Sequence, residues 1–214
     1  ISSKSNKELF ELATSTKIPV VTTLMGRGAF PDGHELSLGM PGMHGNYSST
    51  TSLQKSDLLI AIGVRFDDRV TANPEYFAQN AKVIHADIDP AEIGKVREPQ
   101  VPIVGDAKSV IVALTEELSG LECDTKDWLK EISTWQEKYP LQYKQDEDGP
   151  LKVPYVLDQI QKLVDEDTIV VSGVGQHQMW ISLYWKFTQP NTWLNSGGAG
   201  TMGYALPAAL GAKM

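Results

Sequence analysis

The sequence has 214 residues, 41% of them hydrophobic and 21% charged, which is the composition of an ordinary soluble globular protein. Its formal net charge of −8 excludes a broad nucleic-acid-binding surface, which needs clustered Lys and Arg, and it disfavours adhesion to an anionic membrane. The single cysteine, Cys123, excludes an internal disulfide and a cysteine-based metal cage, and no apolar run approaches the roughly 18 residues of a transmembrane helix.

The first half of the chain alternates helical and strand patterns. The predicted elements are helix 5–16, strands 18–23, 58–62, 82–86 and 102–104, and helix 107–118. The runs 58–62 and 82–86 are almost wholly apolar, which is typical of parallel strands that are covered on both faces. We therefore predict an α/β fold with a doubly wound parallel sheet over residues 1–120.

The second half begins with a change of composition. Residues 121–152 contain one helical pattern, 127–138, and an acidic turn at 145–150, and we interpret them as an interdomain linker. The elements predicted after it are helix 154–164, strand 168–171, a helix from Gln178 and a strand near Trp193. They form the start of a second α/β unit, 153–214. Because the chain begins with Ile1 rather than Met and ends within a helical pattern, we expect an internal fragment.

A charged loop, residues 63–70, follows the strand 58–62. Ligands of open α/β sheets bind at the carboxyl ends of the strands, where Arg65 and Arg69 could bind an anionic group. A solvated loop in which the arginines pair with the neighbouring aspartates explains the same pattern. Residue chemistry alone leaves both interpretations open.

The next strand leads into the segment 85–90. Asp87 could accept hydrogen bonds from a ribose, although the sequence lacks the Gly-x-Gly-x-x-Gly fingerprint of a nicotinamide site. Alternatively, Asp89 caps a helix that starts at Pro90. Asp106 can likewise cap the helix that follows it.

A glycine-bracketed histidine lies earlier, in the segment 39–45. Gly42 and Gly45 could adopt positive φ angles and let the backbone approach a ligand closely. Taken alone, His44 is more typical of a surface residue in a loop.

Two glycine-rich segments mark the second unit. Residues 173–180 follow a strand and open a helix, so unpaired helix amides, together with Gln176 and His177, form an anion cradle. The segment lacks the Lys of a P-loop. Residues 196–204 hold four glycines that let backbone atoms approach a flat ligand. Met202 either contacts that ligand or packs in the core, as most methionines do.

Each segment is only moderately informative, but their order along the chain is specific. The motifs are Leu24-Met25-Gly26-Arg27-Gly28, Gly42-Met43-His44-Gly45, Arg65-Phe66-Asp67-Asp68-Arg69-Val70, Gly105-Asp106-Ala107, Gly175-Gln176-His177-Gln178-Met179-Trp180 and Gly200-Thr201-Met202-Gly203-Tyr204. Over nearly the whole chain the series resembles the acetolactate synthase catalytic-subunit family of thiamine-diphosphate enzymes. Pyruvate oxidase and glyoxylate carboligase share the architecture but match the Arg-Phe-Asp-Asp-Arg and Gln-His-Gln-Met-Trp strings less well.

In that family a central FAD-binding domain precedes a diphosphate-binding domain. The resemblance assigns residues 1–120 to the first and 153–214 to the start of the second. The residues that it places at the flavin are Thr23, Leu24, Gly42, Met43, His44, Gly63, Arg65, Asp67, Arg69 and Val70, with Gln178 and Met179 from the second domain. Around the adenosine half it places Asp87, Ile88, Gly105, Asp106 and Ala107.

The resemblance also implies a thiamine-diphosphate site. Gln176 and His177 would hold the diphosphate. As catalytic residues, Met202 would support the bent cofactor and the Gly200 carbonyl would accept a hydrogen bond from its aminopyrimidine. The Mg²⁺ ligands and the activating glutamate of the family would lie outside this sequence, so we predict no metal ligand here and an inactive isolated fragment.

The implied activity is decarboxylation of pyruvate and condensation of the hydroxyethyl carbanion with a second 2-oxoacid, pyruvate or 2-oxobutyrate, in branched-chain amino-acid biosynthesis. The family implies a cytoplasmic homodimer or tetramer, with a small regulatory subunit as a further partner. Two alternatives stay open. They are another FAD-containing thiamine enzyme, such as an oxidase, and a non-catalytic nucleotide-binding module.

Overall fold

The structure is a computed structural model that describes residues 1–121 and 123–214. Its helices are α1 (Asn6–Thr16), α2 (Tyr47–Lys55), α3 (Asp68–Thr71), α4 (Ala107–Glu117), α5 (Lys126–Lys138), α6 (Val153–Gln161), α7 (Gln176–Tyr184) and α8 (Ala205–Lys213). Its strands are β1 (Val20–Val21), β2 (Ser37–Gly39), β3 (Leu58–Ile62), β4 (Lys82–Asp87), β5 (Val101–Val104), β6 (Val170–Val171) and β7 (Trp193–Leu194). No helix among the described residues has the length and apolar character needed to span a membrane.

The described strand pairs are all parallel, which confirms the predicted α/β class. β1 pairs with β2, β6 pairs with β7, and β3, β4 and β5 form a three-stranded sheet in that order. Ile62 at the end of β3 lies opposite Ala86, and Asp87 at the end of β4 lies opposite Val104. The strands are therefore divided among three short sheets rather than joined in one continuous sheet.

The three-stranded sheet is built around a buried cluster that includes Phe66, Phe77 and Val83. The His85 side chain is fully buried next to this cluster, with its ring 5.1 Å from that of Phe66 in an edge-on arrangement. Its Nε2 lies 2.9 Å from the Val64 carbonyl oxygen. His85 therefore holds the start of the charged loop against the sheet, because a buried ring nitrogen is stabilised when it is hydrogen-bonded.

Helix α5 lies in the segment that we interpreted as a linker, yet it packs on the first unit. Ile132 and Trp135 form a buried cluster with Leu38 of β2. Lys55 of α2 lies 5.0 Å above the Trp135 ring and 3.4 Å from the Glu131 carboxylate. This part of the segment contributes to the core of the first unit, while the predicted boundaries at residues 120 and 152 stay predictions.

Helix α2 and strand β2 are absent from the prediction, and the composition of α2 explains why. The buried face of α2 consists of Ser48, Ser49 and Ser52, so it has no apolar stripe for periodicity to detect. Each serine is stabilised by a local hydrogen bond; the Ser49 hydroxyl, for example, donates to the Met40 carbonyl at 2.6 Å. The one sequence signal is the N-cap Asn46, whose side chain accepts the Ser49 N–H at 2.8 Å.

The segment after α5 is attached to α6 by polar contacts. The Tyr143 hydroxyl donates to Asp158 at 3.2 Å, and Lys162 lies 2.7 Å from the same carboxylate. The Lys162 hydrogen bond, followed by that of Tyr143, lowers the pKa of Asp158 below its ordinary value. The contribution of this exposed cluster to stability is therefore present above the pKa of an unfolded Asp and is lost as the pH falls through the lower folded value. It is small, because exposed ion pairs are screened.

The two halves of the chain meet at a buried ion pair between Arg27 and Asp32. Their side chains are only 3% and 10% exposed, and the two groups make a bidentate contact in which Arg27 Nη1 donates to Asp32 Oδ1 at 3.0 Å. Arg27 also donates to the Thr22 hydroxyl at 2.8 Å. Thr22, Arg27 and Asp32 all belong to the first unit, so the pair is anchored there.

Phe187 connects this pair to the second unit. Its N–H donates to Asp32 Oδ2 at 2.9 Å, and its carbonyl accepts the Asp32 N–H at 2.9 Å. The Arg27 guanidinium lies 5.5 Å from the centre of the Phe187 ring, which is within the range of a cation–π interaction. Asp32 therefore contributes both backbone and side-chain hydrogen bonds to the contact between the two units.

The substitution Asp32→Asn tests this junction. It leaves the buried Arg27 charge without its carboxylate partner, a change that typically costs about 3–5 kcal/mol. Arg27→Met combined with Asp32→Asn removes the charge, while the Asn side chain still offers an acceptor to the Phe187 N–H. We expect the double variant to be more stable than Asp32→Asn alone in urea unfolding of the protein, followed by tryptophan fluorescence.

Glu131→Gln is the control for this experiment, because Glu131 and Lys55 form an ion pair that is exposed on both sides. Such a pair contributes about 0–1 kcal/mol, so the unfolding midpoint should change little. If Asp32→Asn and Glu131→Gln lowered the free energy of unfolding equally, the Arg27–Asp32 pair would not be the stabilising contact described here.

Candidate functional site

The first candidate region lies where the carboxyl ends of β3, β4 and β5 meet at one edge of the sheet. The Gly63 N–H donates to the Ala86 carbonyl at 2.8 Å, and the Gly105 N–H donates to the Asp87 carbonyl at 2.9 Å. These bonds continue the parallel ladder past the strand ends and bring Gly63, Asp87 and Gly105 side by side. Three predicted cofactor-binding positions thus converge where open α/β sheets bind their ligands.

Asp87 and Asp89 organise the turn that follows β4. Asp87 accepts the Asp89 N–H at 2.9 Å, and Asp89 in turn accepts the Ala91 N–H at 2.9 Å. Asp89 therefore opens a turn and not the helix considered as an alternative. Ile88 is exposed between the two acids, at a position where its side chain can contact a ligand.

Asp106 caps helix α4, as the sequence predicts. Its Oδ1 accepts the N–H of Lys108 at 3.0 Å and that of Ser109 at 3.4 Å. Capping by Asp106 stabilises the start of the helix by about 1 kcal/mol. A role of Gly105, Asp106 and Ala107 at a cofactor stays a prediction.

The second candidate region is the contact of Gly42 and Met43 with Arg69 and Val70. The Met43 N–H donates to the Arg69 carbonyl at 2.7 Å, and the Gly42 N–H donates to the Thr50 hydroxyl at 3.1 Å. Gly42 has a φ of +96°, and a Cβ placed on it would lie 2.8 Å from Val70 Cα and overlap the Arg69 carbonyl oxygen. Only glycine permits both this conformation and this close approach. Two motifs from distant parts of the chain therefore form one surface.

The charged loop after β3 turns outward at Phe66. Phe66 has a φ of +52° and buries its ring, which leaves the side chains on either side of it at the surface. Arg65 lies 3.0 Å from Asp67, and Arg69 lies 3.1 Å from Asp68. The charges pair with one another, as one of the two interpretations of this loop predicts.

Asp67 has a second role as the N-cap of α3. Its Oδ1 accepts the Arg69 N–H at 3.0 Å. This backbone hydrogen bond, together with the Asp68 side chain and the positive charges of Arg65 and Arg69, lowers the pKa of Asp67 below its ordinary value. The carboxylate therefore stays ionised at a lower pH than a free aspartate, and it orients the neighbouring guanidinium group.

The third candidate region is the glycine turn between β6 and α7. The Gly175 carbonyl accepts the Gln178 N–H at 3.1 Å as the helix begins. His177 folds back over the turn, because a Cβ on Gly173 would lie 3.3 Å from its Nε2 and a Cβ on Gly175 would lie 3.2 Å from its Cε1. Gln176 and His177 are both exposed. Exposed side-chain donors beside free helix amides are the arrangement of an anion site.

The second glycine-rich segment packs against this turn. The Ser196 carbonyl accepts the Gly200 N–H at 3.1 Å, and the Ser196 hydroxyl accepts the Thr201 N–H at 3.0 Å. A Cβ on Gly200 would lie 4.0 Å from Val174 of the turn. Met202 is 76% exposed, which excludes the alternative that it packs in the core of the described part of the chain.

Gln178 and Met179, predicted to approach the flavin, are less accessible than their neighbours on α7. Gln178 is 3% exposed, and its Nε2–H donates to Asn195 Oδ1 at 2.9 Å inside the second unit. Met179 is half-buried. The contact of both residues with a flavin stays a prediction.

The turn Leu24–Gly26 contacts the second unit. Thr23 precedes this turn, and its carbonyl accepts the Gly26 N–H at 2.8 Å. The Leu24 carbonyl accepts the Trp193 Nε1–H at 3.1 Å, and a Cβ on Gly197 would overlap the Met25 sulfur. Leu24, one of the predicted flavin residues, therefore borders the second unit directly.

Two surface clefts lie away from these regions. One of about 300 Å³ adjoins the Arg27–Asp32 pair, and another of about 460 Å³ adjoins Glu166 and Asp167. None of the described residues that line these two clefts belongs to the predicted cofactor site. The converging strand ends and glycine turns identify the candidate site better than cleft volume does, because they supply the donors and the close backbone approach that a ligand needs.

Sequence reasoning missed several residues that shape the site. Thr50, which holds the glycine loop, lies in a Ser/Thr-rich stretch whose only helical signal is Asn46. The only indication in the sequence that His85 is buried is its position within an apolar strand. Asn195 carries no sequence signal, since its partner Gln178 is distant along the chain.

Family comparison divides the chain into two matched parts. Residues 1–114 match the model described as "Thiamine pyrophosphate enzyme, central domain". Residues 173–214 match the one described as "Thiamine pyrophosphate enzyme, C-terminal TPP binding domain". The first match includes the carboxyl ends of β3, β4 and β5 and the contact of Gly42 and Met43 with Arg69 and Val70. The second includes the glycine turn between β6 and α7 and the segment 196–204.

Individual relatives are similar along the whole chain. A protein named acetolactate synthase from Mycobacterium leprae is 52% identical over 100% of this chain and 35% of its own length. The acetolactate synthase large subunit of Corynebacterium glutamicum is 51% identical over 100% of this chain and 34% of its own length. Acetolactate synthase 2, chloroplastic, of Nicotiana tabacum is 46% identical over 99% of this chain and 32% of its own length. The chain spans about a third of the length of these curated relatives, and it belongs to the thiamine pyrophosphate enzyme family.

Proposed function

We propose that this chain is part of an acetolactate synthase catalytic subunit, a transferase that decarboxylates pyruvate and joins the remaining two-carbon unit to pyruvate or 2-oxobutyrate. The observation that carries the proposal is the approach of the segment 196–205 to the glycine turn 173–175, where a Cβ on Gly200 would lie 4.0 Å from Val174 and a Cβ on Gly173 would lie 3.8 Å from Ala205. It builds one cradle from the two segments that a thiamine-diphosphate site requires. Relatives named acetolactate synthase match all or nearly all of the chain, which supports this reaction.

The proposed thiamine-diphosphate site uses groups that are exposed at this cradle. Gln176 and His177 bind the diphosphate, together with the free N–H groups at the start of α7. Gly200 offers its carbonyl and Met202 its exposed thioether to the ring system. When bound, the cofactor supplies the stabilised carbanion, and the protein contributes binding and orientation.

FAD is the second proposed cofactor, and the first unit has groups that suit it. The surface of Gly42 and Met43 on Arg69 permits close approach to a flat ring. Arg65 and Arg69 can donate to a diphosphate, because their pairs with aspartates are exposed and therefore weak. Asp87 lies where a ribose hydroxyl can donate to it.

Mg²⁺ and the partners complete the proposal. Within residues 1–121 and 123–214, no three His, Cys, Asp or Glu side chains group closely enough to hold a metal ion. In this proposal the Mg²⁺ ligands lie elsewhere in the enzyme, as the family resemblance implies. The activating glutamate comes from a partner subunit, which makes the active form at least a homodimer. A small regulatory subunit, a role in branched-chain amino-acid biosynthesis and a cytoplasmic location belong to the same proposal.

The activity is tested with the intact enzyme that contains this sequence. Supplied with pyruvate, thiamine diphosphate, Mg²⁺ and FAD, it should form acetolactate, whereas the 214 residues alone should form none because they lack the glutamate and the metal ligands. Acetolactate production by the isolated chain would contradict this. Bleaching of the flavin with peroxide formation would indicate an oxidase, and flavin binding without thiamine-diphosphate binding would indicate a nucleotide-binding module.

Met202→Ala tests the thiamine-diphosphate site. Truncation removes the apolar surface that covers the cofactor, so the dissociation constant for thiamine diphosphate should rise by about tenfold or more, with a fall in kcat. Met202→Leu keeps most of the volume and should retain most of the affinity. Calorimetric titration of the cofactor into the intact enzyme measures both. Unchanged affinity and turnover in Met202→Ala would rule out the role proposed for this side chain.

Gly42→Ala tests the flavin surface. The added Cβ would overlap the Arg69 carbonyl and displace the loop from Val70, so FAD affinity should fall by about tenfold or more in a fluorescence titration of the flavin-free enzyme. Gly33→Ala is the matched control, because Gly33 also has a positive φ, +90°, but a Cβ there would meet nothing within 4 Å. If both variants bound FAD as the wild type does, the loop would not form part of the flavin site.

A further inference from the structure

The carboxamide of Asn195 makes the most buried side-chain hydrogen bond of the second unit among the described residues. Asn195 is 6% exposed and follows β7, while Gln178 is 3% exposed and lies on α7. Gln178 Nε2–H donates to Asn195 Oδ1 at 2.9 Å. We propose that Asn195 is a positioning residue for Gln178, fixing the orientation of its carboxamide toward the flavin; this rests on the flavin site of the proposed function.

The two amides pair oxygen to nitrogen. Asn195 Oδ1 accepts the Gln178 Nε2–H, because two carbonyl oxygens facing each other in a buried place would be unfavourable. The oxygen of Gln178 therefore points away from Asn195, and it is the acceptor that remains for a donor on a ligand.

Asn195 also lies at the place where the two units touch. A Cβ on Gly197 would lie 2.8 Å from Asn195 Oδ1 and would overlap the sulfur of Met25. Met25 follows Leu24, one of the residues predicted to contact the flavin. The Gln178–Asn195 pair is thus next to the segment of the first unit that it would have to face in order to contact a flavin.

A double-mutant cycle in the intact enzyme tests the proposal. Asn195→Leu and Gln178→Leu replace each amide by an apolar side chain of similar shape, singly and together. The measurements are the dissociation constant of FAD for the flavin-free enzyme, by fluorescence titration, and the absorbance spectrum of the bound flavin. We expect each single variant to bind FAD about tenfold more weakly, the effect of losing one hydrogen bond, and the double variant to bind no more weakly than Gln178→Leu.

Thr192→Val is the matched control. Thr192 is as buried as Asn195, 6% exposed, but its hydroxyl donates at 2.8 Å to the Gln189 carbonyl in its own turn and not to Gln178. It should leave FAD affinity and the flavin spectrum unchanged. Should Asn195→Leu prevent folding, Asn195→Ala enters the same cycle, because a smaller side chain cannot clash.

The outcomes separate this proposal from the function on which it rests. A wild-type enzyme that binds no FAD overturns the flavin part of the proposed function. If the wild type binds FAD, the positioning role of Asn195 is overturned by any of three results. These are an unchanged affinity in Asn195→Leu, additive effects of the two substitutions, and an equal loss in Thr192→Val.

Discussion

The arrangement of the candidate site depends on one buried ion pair, Arg27 with Asp32. Taking two charges out of water is unfavourable unless their geometry is good and their remaining hydrogen-bonding groups are satisfied. Asp32 meets this condition by accepting from Arg27 and from the Phe187 N–H. Arg27 donates to the Thr22 hydroxyl and lies over the Phe187 ring, while its Nε has no hydrogen-bond partner among the described residues. The contacts of the pair with Phe187 exist only when the two units are docked. The burial of the pair links the stability of the first unit to the position of the second.

This link bears on function because Arg27 lies in the same short loop as Leu24 and Met25. Leu24 accepts a hydrogen bond from Trp193, and Met25 fills the space above Gly197. Gly28 completes the contact, since a Cβ there would lie 2.7 Å from the Gln189 carbonyl. A shift of the second unit would thus move this loop, and with it the residues that we propose at the flavin. The loop has little freedom to adjust, because the approach at Gly28 is between backbone atoms.

Elements whose buried face is apolar could be predicted from the sequence, whereas elements whose buried face is polar could not. Strand β3, and β4 as far as Ala86, were predicted correctly because a nearly continuous apolar run is visible in the sequence. Helix α2 was missed because serines form its buried face, and their hydroxyls donate to nearby groups: Ser48 to the Asn46 side chain, Ser49 to the Met40 carbonyl and Ser52 to the Ser48 carbonyl. The glycine motifs could be located, but their partners could not: nothing in the sequence pairs Gly42 with Arg69, or Gln178 with Asn195. Such contacts depend on tertiary structure, and only the family resemblance indicated their roles in advance.

The charged loop after β3 shows how two interpretations that the sequence left open can hold together. In the structure its arginines pair with neighbouring aspartates, as in a solvated loop. Exposed pairs of this kind contribute about 0–1 kcal/mol, so exchanging them for an anionic ligand requires little free energy. The Arg69 N–H donates to Asp67 and lowers the pKa of its carboxyl, so Asp67 keeps a backbone hydrogen bond when Arg65 moves to a ligand. From this arrangement the Arg65 and Arg69 guanidinium groups can turn from the aspartates to the diphosphate of the proposed flavin. The backbone that carries them stays anchored by the α3 cap and by the Met43 hydrogen bond to Arg69.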